Sequence, residues 1–232
     1  MKIGILQCDS VLDEYQSTFG DYPQMFISLF QKIDLNLTFT TYDLRKGALP
    51  LSVDECDAYI TTGSRLSVYD DIPWLPQLQH FISEISQSNI KLVGICFVHQ
   101  LIADLFSGKT EKSTKGWGVG VAKNKIASQK KWMNPYQRDL KIVVSHQDQV
   151  INLPPKAELI GTSGFCPNFM FLLGENILTI QGHPEFSTDY SKALMTHRRE
   201  RIGEQCYLKA LTTLSSPTDD LVLARWILNF MK

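Results

Sequence analysis

Cys96 lies at the junction of two different sequence patterns. Residues 91–95 form a short apolar run typical of a buried strand, and residues 97–106 have the apolar spacing of a helix. A cysteine at such a corner projects from the end of the sheet, and the N-terminus of the following helix favours a thiolate. The backbone N–H of Phe97 can also donate to an oxyanion. The pattern predicts a nucleophile, against the alternative of an inert thiol buried in the core.

A cysteine nucleophile requires a base, and the base requires a group that orients it. Among the five histidines, His183 ends a strand candidate and is followed by Pro184 and Glu185. Side chains two residues apart in an extended segment project to the same side, and Pro184 stiffens the pair. Glu185 can therefore hold the imidazole of His183 in one orientation. His146, which also ends a strand candidate, is the alternative base.

The remaining histidines give weaker signals. His80 lies on a polar background in a predicted helix, and His197 belongs to the charged run THRRER, so both are interpreted as surface residues. Cys96 and His99 have C-x-x-H spacing, but no second ligand pair accompanies them. A metal site is therefore not predicted.

The rest of the chain alternates between strand and helix patterns. The predicted strands cover residues 2–7, 37–42, 58–62 and 91–95, and then 116–124, 139–146, 157–163, 169–176 and 177–183. The predicted helices cover residues 22–33, 74–88, 97–106 and 189–203, with a last one from residue 218. This order predicts an α/β fold with an open, mostly parallel sheet flanked by helices and a smaller antiparallel portion. No linker or repeat divides the chain, so residues 1–232 are interpreted as one domain.

Composition excludes several classes of protein. The formal net charge is -1, so charge alone suggests no nucleic-acid or membrane partner. Hydrophobic residues make up 44% of the chain, yet no apolar run approaches the roughly 20 residues of a membrane span. Five scattered cysteines without a C-x-x-C pair suit a reducing compartment better than a disulfide framework. The sequence therefore predicts a cytoplasmic protein.

Residues 123–141 carry the main run of positive charge, and the shorter run HRRER surrounds Arg199. The simpler interpretation of the longer run is a solvated loop or hairpin. The alternative is a docking patch for a phosphate-bearing ligand or an acidic partner, which could supply a docking face around Cys96.

Four segments in chain order carry a resemblance to a known family. They are TTGSRLSVYDDIPWL from residue 61, GICFVHQ from residue 94, SHQDQV from residue 145 and QGHPE from residue 181. Together they resemble the class I glutamine amidotransferases, whose pattern is G-x-C-x-G-x-Q, then S-H-x-D-x-V, then H-P-E. The resemblance covers residues 1–186. It is strongest to the stand-alone GMP synthase-like amidotransferases and the plant-type gamma-glutamyl peptidases.

The resemblance implies a flavodoxin-like open sheet with a Cys-His-Glu triad. Cys96 would attack the side-chain amide of glutamine, His183 would shuttle the proton and Glu185 would orient the imidazole. Gly63 and Phe97 would supply the N–H groups of the oxyanion site.

Three further residues match substrate-binding positions of the family. Gln100 falls where the family has a substrate-contacting glutamine. Ser145 and His146 fall where members hold the α-amino and α-carboxylate groups of glutamine. One position departs from the pattern, because Val98 replaces the glycine two residues after the nucleophile. A β-branched residue there bears on the tightness of the turn and on the size of the substrate slot.

The implied reaction is hydrolysis of the γ-amide of glutamine through a cysteinyl γ-glutamyl thioester, with release of ammonia and no metal or organic cofactor. Only about two helices are predicted after Glu185, and the chain contains no phosphate-binding loop. Ammonia would therefore pass to a synthetase partner in trans or leave as free product. The alternatives are a hydrolase of γ-glutamyl peptides or conjugates and a non-catalytic binding member of the family.

Overall fold

The computed structural model describes all 232 residues, which form a nine-stranded sheet, a two-stranded sheet and eight α-helices. The strands are β1 (Lys2–Gln7), β2 (Thr38–Asp43), β3 (Ala58–Thr61), β4 (Lys91–Ile95), β5 (Lys109–Lys112), β6 (Gly118–Ile126), β7 (Asp139–His146), β8 (Asp148–Asn152), β9 (Ala157–Thr162), β10 (Met170–Leu173) and β11 (Ile177–Ile180). The helices are α1 (Asp13–Phe19), α2 (Tyr22–Gln31), α3 (Leu75–Ser86), α4 (Phe97–Leu105), α5 (Thr188–His197), α6 (Arg199–Ile202), α7 (Glu204–Thr213) and α8 (Asp220–Met231).

The large sheet has a parallel half and an antiparallel half. The parallel half has the order β2-β1-β3-β4-β11, with every neighbouring pair parallel. The sheet continues as β10-β9-β6-β7 with antiparallel pairing throughout. Strands β5 and β8 form the second sheet, which is also antiparallel. The predicted α/β sheet with flanking helices and an antiparallel portion is confirmed.

Helices cover both faces of the parallel half. In β4, Val93 and Ile95 pack in one core with Phe26 of α2 and Trp226 of α8, whereas Leu92 packs in a second core with α3 and α4. Side chains of a strand alternate between its faces, so a strand covered on both sides must be apolar almost throughout. None of the helices combines the length and apolar character needed to cross a membrane.

Helix α4 lies close to β4 because Gly94 has no side chain. A Cβ at Gly94 would lie 2.8 Å from Ile102 Cδ1 and 3.3 Å from Val98 Cγ1. Val98 is fully buried at this contact. The helix therefore keeps its close approach with a β-branched residue at the position where the family has glycine.

Several predicted elements differ from the observed ones. The helix predicted over residues 189–203 is divided into α5 and α6 at Arg198. Strands β5 and β8 and helices α1 and α7 were not predicted, so four helices follow Glu185 rather than two. Strand β5 has one buried residue and α1 has none, which leaves no apolar periodicity to detect.

The basic segment 123–141 forms the ends of β6 and β7 and the connection between them. The antiparallel register places that connection at the opposite end of the hairpin from His146, about 24 Å away. The connection therefore lies away from Cys96, and its role as a docking face stays a prediction. The solvated-loop interpretation is also incomplete, because Met133 is buried and Trp132 packs edge-on against a tryptophan of α8.

Gly94→Ala is expected to lower the free energy of unfolding by about 1–3 kcal/mol, because the added methyl forces the Val98 and Ile102 side chains to move. Denaturant unfolding followed by circular dichroism measures the change. Gly164→Ala is the matched control, since a Cβ at Gly164 would meet nothing within 4 Å. Equal stabilities of the two variants would contradict the close contact of α4 with β4.

Candidate active site

Cys96 alone forms the turn between β4 and α4. Its backbone has φ 49° and ψ -94°, and Ser107 is the one other non-glycine residue with a positive φ. The Cys96 N–H donates to the Ile180 carbonyl at 2.8 Å, and the Cys96 carbonyl accepts from the Gln100 N–H at 3.1 Å. These bonds to β11 and α4 hold a conformation that costs about 1–3 kcal/mol. The predicted sharp corner is present, with the thiol at the N-terminus of α4.

His183 is fixed by three contacts. Its Nδ1 lies 2.8 Å from Glu185 Oε1, its ring stacks on Phe186 with centroids 4.0 Å apart, and its backbone N–H donates to the Val143 carbonyl at 2.8 Å. The Glu185 side chain is fully buried, and its Oε2 has no hydrogen-bond partner in the chain. With Nδ1 engaged by Glu185, the imidazole lies beside Cys96, because both residues lie next to Gly63.

Opposing effects set the pKa of His183. Burial lowers the pKa, whereas the carboxylate of Glu185 and the neighbouring Cys96 side chain raise it, with a net result of about 10. The imidazole is therefore protonated at neutral pH beside the Cys96 side chain. In this charge state the imidazolium can act as an acid toward a group bound beside Cys96.

Gly63 lies beside both of these side chains. A Cβ at Gly63 would lie 2.7 Å from His183 Cε1 and 3.4 Å from Cys96 Cβ, so the position has no room for a side chain. The Thr62 hydroxyl donates to the Gly63 carbonyl at 3.0 Å, and the Gly63 N–H has no acceptor within the chain. The Phe97 N–H is the first of α4, where N–H groups have no intrahelical partner. Free donors therefore lie on both sides of Cys96, as an oxyanion site requires.

His146 has a different environment from His183. Its Nδ1 lies 3.0 Å from the Asp148 carbonyl, which only accepts, so Nδ1 carries the proton and Nε2 is an unpaired acceptor. Burial lowers the pKa of His146 to about 4, so the imidazole is neutral at neutral pH. No carboxylate orients His146, which favours His183 as the base.

His99, the partner of Cys96 in the C-x-x-H spacing, is directed elsewhere. It is fully buried, and its Nδ1 lies 2.9 Å from Thr179 Oγ1. Burial lowers the pKa of His99 to about 3, which keeps it neutral. His99 is therefore part of the packing beneath the site.

Most of the predicted site residues line one pocket of about 110 Å³ or the recess that adjoins it. The pocket is lined by Cys96, Gln100, Ser145 and His146, and the recess by Gly63, Ser145 and His183. Phe97 contributes only its backbone, because its ring is buried against Trp74. Val98 lines neither cavity, so its replacement of the family glycine affects helix packing rather than the substrate slot.

Gln100 can offer only one kind of atom to a ligand. Its Nε2 donates to the Asp148 carbonyl at 2.9 Å and to Gln181 Oε1 at 3.1 Å, which uses both amide hydrogens. The Oε1 atom remains as an acceptor. Gln100 can therefore bind an ammonium group and cannot donate to a carboxylate.

The positive charge of this pocket was not predicted from the sequence. Its cationic residues are Arg65, Lys112, Arg198 and Arg201. Arg65 pairs with Asp9 at 2.8 Å, but Arg198 has no carboxylate partner and donates to Ser145 Oγ at 3.3 Å. Burial lowers the pKa of the Arg198 guanidinium, and a largely buried cation without a counter-ion is suited to a bound anion. The run HRRER is the signal that could have revealed it, since two of these arginines belong to that run.

Comparisons with known proteins agree on a family. The family described as Glutamine amidotransferase class-I matches residues 21–199. A glutamine amidotransferase-like protein of Schizosaccharomyces pombe is 32% identical over 99% of this chain and 98% of its own. Gamma-glutamyl peptidase 3 of Arabidopsis thaliana is 29% identical over 97% and 93%. One subunit of a glutamine-hydrolyzing GMP synthase of Pyrococcus abyssi is 27% identical over 54% and 68%.

Solved structures show the same fold. The crystal structure of a glutamine amidotransferase from Thermotoga maritima superposes with a TM-score of 0.80 at 20% identity, covering 100% of this chain and 98% of the other. The fold of this chain is therefore the α/β fold of that glutamine amidotransferase. The match over residues 21–199 and the full-length identity with the S. pombe protein narrow this further: the chain belongs to the class I glutamine amidotransferase family.

His183→Ala is expected to lower kcat by about 10²- to 10⁴-fold, because the variant loses proton transfer. Glu185→Gln should cost less, since the base remains while its orientation and its raised pKa are lost. The rate of ammonia release from glutamine measures both changes, with His146→Ala as the comparison. A larger loss in His146→Ala than in His183→Ala would identify His146 as the base instead.

Proposed function

We propose that this chain hydrolyses the γ-amide of glutamine through a cysteinyl γ-glutamyl thioester and releases ammonia. The observation that carries the proposal is the buried order Glu185, His183, Cys96, with a raised pKa on the central imidazole. Membership of the class I glutamine amidotransferase family supports the same chemistry.

The reaction begins when Cys96 Sγ attacks the γ-carbonyl carbon. The carbonyl oxygen becomes an oxyanion, which the N–H groups of Gly63 and Phe97 stabilise. As the C–N bond breaks, protonated His183 gives its proton to the leaving nitrogen, so ammonia departs and the thioester remains. Water then attacks the thioester and neutral His183 takes the proton. Breaking of the C–S bond releases glutamate and restores the thiolate–imidazolium pair.

Recognition of the glutamyl head requires partners for two opposite charges. The Gln100 Oε1 acceptor suits the α-ammonium group, because both hydrogens of that amide are already used. The Arg198 guanidinium beside Ser145 suits the α-carboxylate. His146 lines the same pocket as a neutral ring, with its Nε2 buried beside Gly118.

A γ-glutamyl peptide or conjugate is the second candidate substrate. Four cations line the pocket, and Asp148 is the one carboxylate among its lining residues. Asp148 Oδ2 already accepts from the hydroxyls of Ser67 and Tyr69, at 2.7 and 3.0 Å. The positive charge exceeds what one α-carboxylate requires, which favours a leaving group that carries a further negative charge. The similarity to gamma-glutamyl peptidase 3 supports this candidate.

The destination of the ammonia defines two versions of the glutaminase. Similarity to one subunit of a GMP synthase supports transfer to a synthetase partner in trans, and free release is the other version. The alternative of a non-catalytic binding member is less favoured, because Cys96, His183 and Glu185 form a connected arrangement.

The sheet combines strands from residues 2 to 180, and α8 packs on β4, which supports one domain over residues 1–232.

The purified chain alone is expected to release ammonia from glutamine and to leave asparagine and N-acetylglutamine intact. Asparagine is one methylene short, so its amide carbon cannot reach Cys96 with the head group bound, and acetylation removes the ammonium that Gln100 accepts from. Parallel assays of ammonia and of released amine, with γ-glutamylglycine as the fourth substrate and Cys96→Ser as the blank, measure this. Cleavage of γ-glutamylglycine with glutamine intact would favour the peptidase, and cleavage of asparagine would contradict the head-group assignment.

Arg198→Leu is expected to raise the KM for the preferred substrate by about 10-fold or more, because a hydrogen bond to a charged group is lost. Arg225→Leu makes the same chemical change at an exposed position of α8 outside the pocket and should leave KM unchanged. Steady-state kinetics on both variants, after a check of their unfolding midpoints, decide the matter. An unchanged KM in Arg198→Leu would remove this residue from the head-group site.

A further inference from the structure

Gln181 lies beneath the candidate site, in contact with both Cys96 and Gln100. It follows β11 directly and is fully buried. Its Nε2 lies 3.5 Å from Cys96 Sγ, and its Oε1 accepts from Gln100 Nε2 at 3.1 Å. Its backbone N–H donates to the Phe169 carbonyl at 2.8 Å, which holds the residue in place. Both ends of the side-chain amide are therefore engaged, one of them by the reacting sulfur.

A backbone carbonyl determines which end of this amide faces the sulfur. The Asp148 carbonyl can only accept, so the group of Gln100 that lies 2.9 Å from it must be the NH₂ group. The second hydrogen of that NH₂ group then goes to Gln181, which must present its oxygen to receive it. The NH₂ group of Gln181 is left facing Cys96. The orientation follows from the chain of donors and acceptors and excludes a flipped amide at Gln181.

We propose that Gln181 is a catalytic residue that donates an N–H hydrogen bond to the Cys96 thiolate. The inference rests on the proposed role of Cys96 as nucleophile. An N–H donor favours a negatively charged sulfur over a neutral thiol, because hydrogen bonds to ionised acceptors are the stronger ones. The bond also fixes the direction of Sγ relative to the pocket. Gln100, which offers its Oε1 atom to the substrate, also fixes the orientation of the Gln181 amide, because Gln100 Nε2 donates to Gln181 Oε1.

The test measures Cys96 itself rather than turnover. Gln181→Met keeps the length of the side chain and removes the donor, and Gln181→Glu keeps the shape and replaces the donor by an acceptor. Iodoacetamide alkylation of Cys96, followed by peptide mass spectrometry between pH 5 and 10, gives the apparent pKa of the thiol in each variant. Gln149→Met is the matched control, because Gln149 is buried nearby in β8 and has no bond to Cys96.

We expect the apparent pKa of Cys96 to rise by about one unit or more in Gln181→Met and further in Gln181→Glu, with no change in Gln149→Met. Below both pKa values this corresponds to an alkylation rate lower by about 10-fold. A pH profile of Gln181→Met that matches the unmodified chain would overturn the inference, even if kcat falls. If Cys96 of the unmodified chain reacts no faster than the partly exposed Cys206, the nucleophile assignment and the proposed function fail as well. The two failures are therefore distinguishable.

Discussion

One backbone hydrogen bond, from the His183 N–H to the Val143 carbonyl, closes the candidate site. Strand β7 is the last strand of the sheet, four positions from β11, and yet the segment that follows β11 pairs with it. The antiparallel half of the sheet must therefore curve so that its edge strand, β7, lies beside the segment that follows β11. As a result Ser145 and His146, at the end of β7, meet Cys96, at the end of β4. Without this closure the base and the wall of the pocket would lie at separate edges of the sheet.

Two histidines that are both buried have opposite charge states. Burial lowers the pKa of both His183 and His146, but only His183 has a carboxylate and a thiol against its ring. Its charged form is therefore favoured, whereas His146 stays neutral with its proton directed at a backbone carbonyl. The charge of each ring therefore follows from the partners that the fold supplies to it. This arrangement costs free energy, because the Glu185 side chain is fully buried and one of its oxygens has no hydrogen-bond partner in the chain.

Local sequence patterns predicted the elements that bury many apolar residues and missed the elements that bury few. The parallel strands and the helices between them follow from apolar runs and spacing, whereas β5, α1 and α7 bury too little to be visible. The basic run at 123–141 concealed the core residue Met133 and Trp132, which packs against the core, because charge dominated its composition. Short motifs suggested Cys96 and its base, since base and orienter are two residues apart. Gln181 contacts a sulfur atom 85 positions away, and no local pattern could reveal that contact.

The proposed reacting groups and the wall of the pocket come from different elements of the fold. The groups proposed to react come from the ends of β3, β4 and β11, where a side chain at Gly63 would have no room. The pocket cations that are not assigned to the γ-glutamyl head and have no carboxylate partner, Lys112 and Arg201, come from β5 and α6. Substitutions in this second group can change what is accepted beyond the γ-glutamyl head without moving the nucleophile. A glutaminase and a γ-glutamyl peptidase can therefore share one catalytic centre and differ only in the charge and shape of the pocket wall.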